Sequence, residues 1–245
     1  MAAEKVAFIT GGNKGLGLET ARQLGKLGIT VVIGSRDHEK GAAAAQKLKS
    51  EGIHAEAIRL DVTKPADYKA VYDYLDKHYG RLDILVNNAG VSRENFFEGN
   101  KTSTTSAEVL HDTFDTNFFA VIQLTQTLLP LIRKSPAGRI VNLSSILGSL
   151  TLHATPGSPI YDAKAFAYDA SKAALNSFTV HLAHELKDTK IKVNSAHPGW
   201  VKTDMGTDAA PMEIPDGAKT SVRLATLPDD GPTGGYFHMD QALPW

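Results

Sequence analysis

The sequence predicts an α/β protein whose core is a doubly wound parallel sheet of about seven strands, with helices on both faces. Three observations lead to this fold class. Short β-branched runs alternate with longer helical stretches along the chain, and a glycine-rich turn follows the first run. The length of 245 residues, 42% of them hydrophobic, is enough to bury one large core. Right-handed crossovers between parallel strands then place helices on both faces.

The strands are predicted from short runs rich in β-branched residues. The first run, VAFIT at 6–10, is typical of a buried strand. The remaining strands are expected at 30–33, 55–60, 82–86, 139–143, 191–196 and 235–238.

The helices are predicted from apolar residues that recur at helical spacing and from start and stop signals. The first covers 15–27, where leucines and a threonine recur on one face. An alanine-rich helix at 38–50 ends at a Glu-Gly pair, and Pro65 opens the next helix at its first turn. Further helices are expected at about 106–133, 166–187 and 217–225.

Composition excludes several classes of function. Lys and Arg total 26 against 27 Asp and Glu, and this balance argues against nucleic-acid or anionic-membrane partners. No stretch approaches the roughly 18 apolar residues of a membrane span, and the run at 6–9 is too short for a secretion signal. The absence of cysteine excludes disulfides and a catalytic thiol. We expect a cytoplasmic protein that acts on a small molecule.

One domain is expected over 1–245, because no repeat, linker or low-complexity tract interrupts the pattern. Two irregular stretches, 91–105 and 149–165, each follow a strand. They should therefore lie at the carboxyl edge of the sheet, where open α/β sheets bind ligands. The predicted substrate loops are the segments near 91–105, 149–166 and 200–216.

The turn TGGNKGLG at 10–17 lies between the first strand and the first helix. Glycines permit a tight turn and close backbone approach, and a helix N-terminus favours a pyrophosphate. The alternative is a tight turn without a ligand. The turn lacks the Gly-Lys-Ser/Thr of a P-loop, which argues against ATP or GTP.

The end of the second strand favours NADP(H) over NAD(H). NAD-binding proteins place an acidic residue here for the ribose hydroxyl, whereas a 2′-phosphate requires a cation. Ser35 takes that position, Arg36 follows it, and Lys14 is expected to point toward the same region. Asp37 leaves an alternative open, since a shift of one residue would bring a carboxylate near the ribose. The two cations could also be ordinary surface charges.

The chain resembles the short-chain dehydrogenase/reductase family, in particular its carbonyl-reductase-like branch. The resemblance rests on seven motifs in order: TGGNKGLG at 10–17, LDVT at 60–63, NNAG at 87–90, DTNFF around Asn117, VNLSS at 141–145, YDASK at 168–172 and HPGWVKTDM at 197–205. It implies a Rossmann-like fold and NAD(P)-dependent reduction of carbonyls or oxidation of alcohols.

The family pattern implies that Asn117, Ser145, Tyr168 and Lys172 are the catalytic residues. Tyr168 and Lys172 stand four apart on a helix and share a face. A nearby ammonium favours the phenolate and brings Tyr168 closer to the range of acid–base catalysis. Ser145 would hydrogen-bond the substrate oxygen, and Ser144 is the competing choice. Asn117 would anchor a water that links Lys172 to solvent.

The glycine turn and the resemblance together give the expected cofactor contacts. They are Gly11, Asn13, Lys14, Gly15, Leu16, Gly17, Ser35, Arg36, Asp61, Val62, Asn88, Ala89, Gly90, Tyr168, Lys172, Pro198, Gly199, Val201 and Thr203. No metal is expected, because no third ligand completes His181 and His184.

The interval from Ser145 to Tyr168 is 23 residues and is longer than in compact family members. Carbonyl-reductase-like relatives carry an insertion here that covers the helical face other members use to dimerise, so we expect a monomer or a weak homodimer. The expected activity is NADPH-dependent reduction of ketones, aldehydes or keto esters. The alternatives are a specific secondary-metabolite, lipid or steroid reductase, or a non-catalytic NADP-sensing regulator.

Overall fold

A computed structural model describes residues 5–96 and 99–245 of the chain. In the described residues, one sheet of eight strands has the order β3-β2-β1-β4-β5-β6-β7-β8. The strands are β1 (Val6–Thr10), β2 (Thr30–Ser35), β3 (Ala55–Arg59), β4 (Ile84–Asn87), β5 (Arg139–Leu143), β6 (Lys192–Ala196), β7 (Tyr236–His238) and β8 (Gln241–Ala242).

The helices lie between these strands in the alternation that the sequence predicts. They are α1 (Gly15–Lys26), α2 (His38–Ser50), α3 (Pro65–Tyr79), α4 (Ala107–Phe114), α5 (Ala120–Arg133), α6 (Leu150–Ala154), α7 (Phe166–Glu185) and α8 (Ile214–Ala225). Single 3₁₀ turns lie at Thr102–Thr104 and Ile146–Gly148, and the π-helical segment Asp115–Phe119 joins α4 to α5.

Strands β1 to β7 pair in parallel, and β8 returns antiparallel to β7. The predicted α/β class and doubly wound parallel sheet are therefore confirmed. The sequence predicts about seven strands, whereas the structure adds β8 as an eighth. This strand has only two residues and both are exposed, so it leaves no alternating pattern to detect.

Alternate residues of the strands divide the core into two layers. Phe8 of β1 belongs to the layer that contains Leu128 of α5, on the face covered by α3, α5 and α7. Ile9 belongs to the opposite layer, with Leu24 of α1 and Leu48 of α2. All five of these side chains are fully buried. Burial on both faces explains why the strand VAFIT is an almost continuous apolar run.

Two predicted elements differ from the observed ones. The helix expected at 106–133 contains the π-helical segment Asp115–Phe119, which places five residues in a wider turn. The stretch expected to be irregular at 149–165 contains the short helix α6. Within the described part of the chain, no helix is long and apolar enough to cross a membrane.

Candidate active site

The candidate site lies at the carboxyl edge of the sheet, where the strand order changes direction between β1 and β4. Thr10, the last residue of β1, ties the two strand ends together. Its hydroxyl oxygen accepts the backbone N–H groups of Asn88 and Ala89, both at 2.9 Å. The Asn88 side chain in turn donates to the Thr10 carbonyl at 2.8 Å. The glycine turn and the NNAG segment therefore form one wall.

Gly17 is required by the close packing of this wall. A Cβ atom at Gly17 would lie 2.5 Å from both the Gly11 carbonyl oxygen and the Asn88 amide nitrogen. Gly11 itself has a φ of +64°, which a side chain would strain. Helix α1 begins at Gly15, and among the described residues no side chain caps its N-terminus. The turn and the uncapped helix therefore fit a pyrophosphate, which needs close backbone approach and N–H donors.

The end of β2 places Arg36 at the surface and buries Ser35. The Ser35 hydroxyl donates to the Asp37 carbonyl at 2.8 Å, whereas the guanidinium of Arg36 is exposed. The Asp37 carboxylate accepts the Lys40 N–H at 3.0 Å and caps helix α2. That N–H lowers the pKa of Asp37. Asp37 is thus already engaged by its own helix, which argues against the alternative in which it binds the ribose.

Lys14 differs from its expected orientation. The sequence predicts that it points toward Arg36, but its ammonium pairs with the Asp204 carboxylate on the loop after β6. The physical reason is that a flexible exposed lysine meets an opposite charge across the cleft. Both side chains are largely exposed, at 69% and 81%, so the pair contributes little and opens readily. A contact between Lys14 and the cofactor stays a prediction.

The structure brings Ser145, Tyr168 and Lys172 together. Tyr168 and Lys172 lie one turn apart on α7 and are only 7% and 4% exposed. The Lys172 ammonium lies 5.6 Å from the centroid of the Tyr168 ring and donates to the Leu143 carbonyl at 2.8 Å. Ser145 is the serine that hydrogen-bonds the Tyr168 phenol, which favours it over Ser144.

Burial dominates the ionisation of this cluster. It raises the pKa of Tyr168 to about 12, although the hydrogen bond from Ser145 acts in the opposite direction and the charge of Asp169 adds to the increase. Burial also lowers the pKa of Lys172 to about 8. The sequence predicts a lowered pKa for Tyr168 because of the ammonium. The surroundings supplied by the chain instead favour the neutral phenol, because desolvation penalises the phenolate.

Asn117 lies in the π-helical segment and is fully buried. Its side chain accepts the Val91 N–H at 2.8 Å, donates to the Val91 carbonyl at 2.8 Å and donates to the Ser171 hydroxyl at 3.0 Å. Asn117 thus fastens the loop after β4 to α7. Its expected water-anchoring role stays a prediction. π-Helical turns of this kind are frequent at functional sites.

Gly90 keeps space open beside Lys172. A Cβ atom there would approach the Lys172 ammonium to 3.5 Å and the Asn117 amide oxygen to 3.3 Å. On the far side of the cleft, Thr203 lies near the glycine turn, since a Cβ atom at Gly15 would come within 3.8 Å of the threonine methyl. These two positions bound the space that a dinucleotide would occupy between the glycine turn and Lys172.

The remaining expected contacts surround the same cleft. Val62 and Ala89 line a small cavity below the end of β1, together with Thr10. Asp61 stands next to that cavity. Burial raises its pKa, but hydrogen bonds from Thr63 and nearby positive charges, including that of Arg36, outweigh this and lower it overall. The segment containing Pro198, Gly199 and Val201 follows β6, and Val201 is buried against Met212.

Sequence reasoning missed two residues that contact Tyr168. The Glu94 carboxylate accepts the backbone N–H of Tyr168 at 3.0 Å. The Phe96 ring meets the Tyr168 ring edge-on, with 5.2 Å between centroids. Both come from the predicted substrate loop 91–105, of which residues 97 and 98 lie outside the described residues. No periodicity or motif marks them, because their partner is more than 70 positions away in the chain.

Metal ligation finds no support in the geometry. Over residues 5–96 and 99–245, no group of three or more His, Asp or Glu side chains is placed to hold a metal ion. His181 and His184 lie exposed on α7. The expectation that the protein has no metal stays a prediction.

The fold and the site define a dinucleotide-binding α/β protein with a Ser–Tyr–Lys cluster at the carboxyl edge of its sheet. Comparison with known proteins identifies the family. Residues 5–214 match the family model for short chain dehydrogenase. The chain belongs to the short-chain dehydrogenase/reductase family, which is a family of oxidoreductases.

Relatives confirm the resemblance to carbonyl reductases. The chain is 34% identical to carbonyl reductase (NADPH) 1 of Mus musculus, over 100% of this chain and 99% of that protein. It is 33% identical to short-chain dehydrogenase/reductase 1 of Saponaria officinalis, over 100% and 97% of the two chains.

Solved structures confirm the fold. The NADPH-bound carbonyl reductase from chicken fatty liver superposes with a TM-score of 0.85 and 26% identity, over 99% of each chain. Salutaridine reductase from Papaver somniferum superposes with a TM-score of 0.83 and 31% identity, over 97% of this chain and 100% of that one.

Proposed function

We propose that this protein is an NADPH-dependent oxidoreductase that reduces ketones, aldehydes or keto esters to alcohols. The observation that carries the proposal is the cluster of Ser145 with the buried Tyr168 and Lys172, which lies in the same crevice as the glycine turn. A regulator without turnover needs no such acid–base group. The similarity to carbonyl reductases of mouse and chicken supports the same reaction class.

The residues present fit a dinucleotide. The turn at 11–17 and the N-terminus of α1 would hold the pyrophosphate, and Arg36 would bind a 2′-phosphate through its planar guanidinium. Ser35 adds no negative charge there, which supports NADP(H) over NAD(H). Gly90 and the segment 198–203 would border the nicotinamide. When bound, the reduced cofactor supplies the hydride.

Tyr168 donates the proton to the carbonyl oxygen of the substrate. Its high pKa keeps the phenol protonated across the neutral range, which suits the reductive direction. The Ser145 hydroxyl donates a hydrogen bond to the same oxygen and stabilises the charge that develops on it. Lys172 holds the nicotinamide ribose, and its ammonium beside the tyrosine ring stabilises the phenolate left after proton transfer.

We propose that one domain carries all of these functions and that segments 91–105, 149–166 and 200–216 form the substrate site. Phe96, Trp200 and Met205 give these segments apolar surface, and the last two are 47% and 36% exposed. Such a site suits apolar ketones and aldehydes. A more specific secondary-metabolite reductase is the second candidate, supported by 31% identity to salutaridine reductase over nearly the full chain.

The test is NADPH consumption against a panel of ketones, aldehydes and keto esters, including bulky polycyclic ketones. Broad turnover supports a general carbonyl reductase, whereas turnover of one polycyclic class supports the second candidate. NADPH binding without turnover of any panel member would contradict both.

The role of Tyr168 is tested with Tyr168→Phe. Removing the proton donor should lower kcat by roughly 100-fold or more, while NADPH affinity measured by cofactor fluorescence stays within about threefold. Tyr72→Phe is the matched control, because this tyrosine lies on α3, outside the proposed cofactor and substrate segments. Equal kcat values for the two variants would refute the assigned mechanism.

A further inference from the structure

We propose that His197 is a positioning residue for Ser145, acting as a neutral imidazole that accepts backbone N–H groups from both sides of the active site. The inference rests on the proposed function, since it concerns how the serine is held for carbonyl reduction. His197 follows β6 and lies outside the set of expected site residues.

The contacts of His197 join two segments of the cleft. Its Nδ1 accepts the N–H of Ile146 at 3.1 Å and the N–H of Gly199 at 3.4 Å. Ile146 directly follows Ser145, and Gly199 belongs to the segment expected to border the nicotinamide. One ring nitrogen therefore links the segment that carries Ser145 to the segment that carries Gly199.

The Ser145 peptide is held on its other side as well. Its carbonyl oxygen accepts the Gly148 N–H at 2.7 Å and the hydroxyl of Tyr236. With the Ile146 N–H bound to His197, the polar groups flanking Ser145 are fastened to the residue that follows β6 and to Tyr236 of β7. The serine rotamer can then be set by the scaffold before a substrate arrives, which is what oxyanion stabilisation requires.

The imidazole is itself fixed in place and in tautomer. The backbone of His197 is held in place because its carbonyl oxygen accepts a hydrogen bond from Nδ1 of His238 at 3.0 Å. His197 is only 8% exposed. A ring whose Nδ1 accepts carries its proton on Nε2. Burial lowers the pKa of His197 to about 3, with the charge of His238 acting in the same direction, so the acceptor is retained at working pH.

Two substitutions separate an acceptor at Nδ1 from a polar side chain in general. In His197→Asn the amide oxygen falls near the position of Nδ1, whereas in His197→Gln it falls near Nε2. Both introduce a carboxamide, so their polarity is matched. His184→Gln, on the exposed face of α7, controls for histidine replacement away from the site.

The experiment measures kcat, KM and the affinity of the enzyme for NADPH. Hydrogen exchange of the Ile146 amide is measured by NMR on the NADPH-bound enzyme. We expect His197→Asn to keep kcat within about threefold and to keep the amide protected. His197→Gln should lower kcat by roughly tenfold or more, with a smaller change in KM, and should speed exchange at Ile146. Equal kcat and equal Ile146 exchange in the two variants would overturn the proposal.

Two measurements on the unmodified protein test the role of His197 without any substitution. Nitrogen NMR of labelled histidine should show an unprotonated Nδ1 at His197, and a protonated Nδ1 would refute the assignment. If the unmodified protein reduces no carbonyl compound, the proposed function fails. The tautomer and the Ile146 exchange would then still decide whether His197 holds the serine segment.

Discussion

Tyr168 illustrates how a residue's role depends on contacts that its sequence neighbours only partly reveal. The spacing of Tyr168 and Lys172 predicts that they share a helix face, and the structure places the ammonium 5.6 Å from the ring centroid. The pKa could not be predicted in the same way, because it depends on desolvation by residues from several elements. His197 and Glu94 escaped prediction for the same reason, since each contacts a segment remote in the chain.

Replacement of Arg36 tests whether this side chain makes the protein prefer NADPH to NADH. Arg36→Ala removes the cation expected to bind the 2′-phosphate, and a charge-assisted hydrogen bond contributes about 1.5–3 kcal/mol. We therefore expect the Kd of NADPH to rise by roughly 10-fold to 100-fold, while the Kd of NADH changes less than about threefold. Titration of cofactor fluorescence measures both values.

Arg133→Ala is the control for that experiment. Arg133 is an exposed arginine that pairs with Glu185 at 3.3 Å, and it is remote in sequence from the glycine turn and from Arg36. It should leave both affinities unchanged. Equal losses of NADPH and NADH affinity in Arg36→Ala would show that this side chain does not read the phosphate.

Helix α7 shows what packing adds to an element that the sequence predicts. Its existence follows from the pattern at 166–187, but its N-cap residue, Ala165, has no side chain able to cap. Glu94 takes that role from a distant loop by accepting the Tyr168 N–H. Asp169 accepts the Ala165 N–H at 3.0 Å. Burial raises the pKa of Asp169 to about 7, with the Ala165 N–H opposing this and the charge of Glu94 adding to it.

Replacement of Glu94 tests whether this distant cap positions Tyr168. Glu94→Ala removes an acceptor from the first turn of α7, which should cost about 1 kcal/mol of unfolding free energy. For a chain of this size the midpoint of thermal unfolding should fall by roughly 2–4 °C. Because the lost bond is at Tyr168 itself, kcat should also fall, by about tenfold. Glu94→Gln retains an acceptor and should recover most of kcat.

Ser106→Ala is the matched control, since Ser106 caps α4 through the Val109 N–H at 3.2 Å. It should lower thermal stability by a similar amount and leave kcat unchanged. If Glu94→Ala and Ser106→Ala had the same kcat, Glu94 would be a stabilising residue without influence on Tyr168. Calorimetry and steady-state kinetics on the four proteins decide the point.

At the scale of the whole molecule, the alternation of strands and helices was sufficient to predict the doubly wound sheet and its ligand-binding edge. The order β3-β2-β1-β4 then creates the crevice between the glycine turn and the NNAG segment. The short elements could not be predicted, because α6 and β8 have five and two residues and are set by their neighbours. The Lys14–Asp204 pair likewise forms between segments that only the completed sheet brings together.

The oligomeric state should depend on how the segment after Ser145 packs against α7. The segment after Ser145 docks on the start of α7, where the His153 ring lies 3.4 Å from the Asp169 carboxylate. It is also tied to loop 91–105, since Asn100 donates to the Lys164 carbonyl at 3.0 Å. A segment fastened in this way would cover part of the helical face on which we expect a second copy to pack. We therefore expect a monomer or a weak, concentration-dependent homodimer.

Size-exclusion chromatography with light scattering, run over a hundredfold range of protein concentration, tests this expectation. The mass should correspond to one chain at low concentration and should rise at most toward two chains. Val180 is an apolar side chain of α7 that is 40% exposed, and Val180→Lys should abolish any such rise if a weak dimer forms through this helix. A mass of four chains that does not change with concentration would contradict the prediction, because the insertion would then leave the face of α7 free for stable assembly.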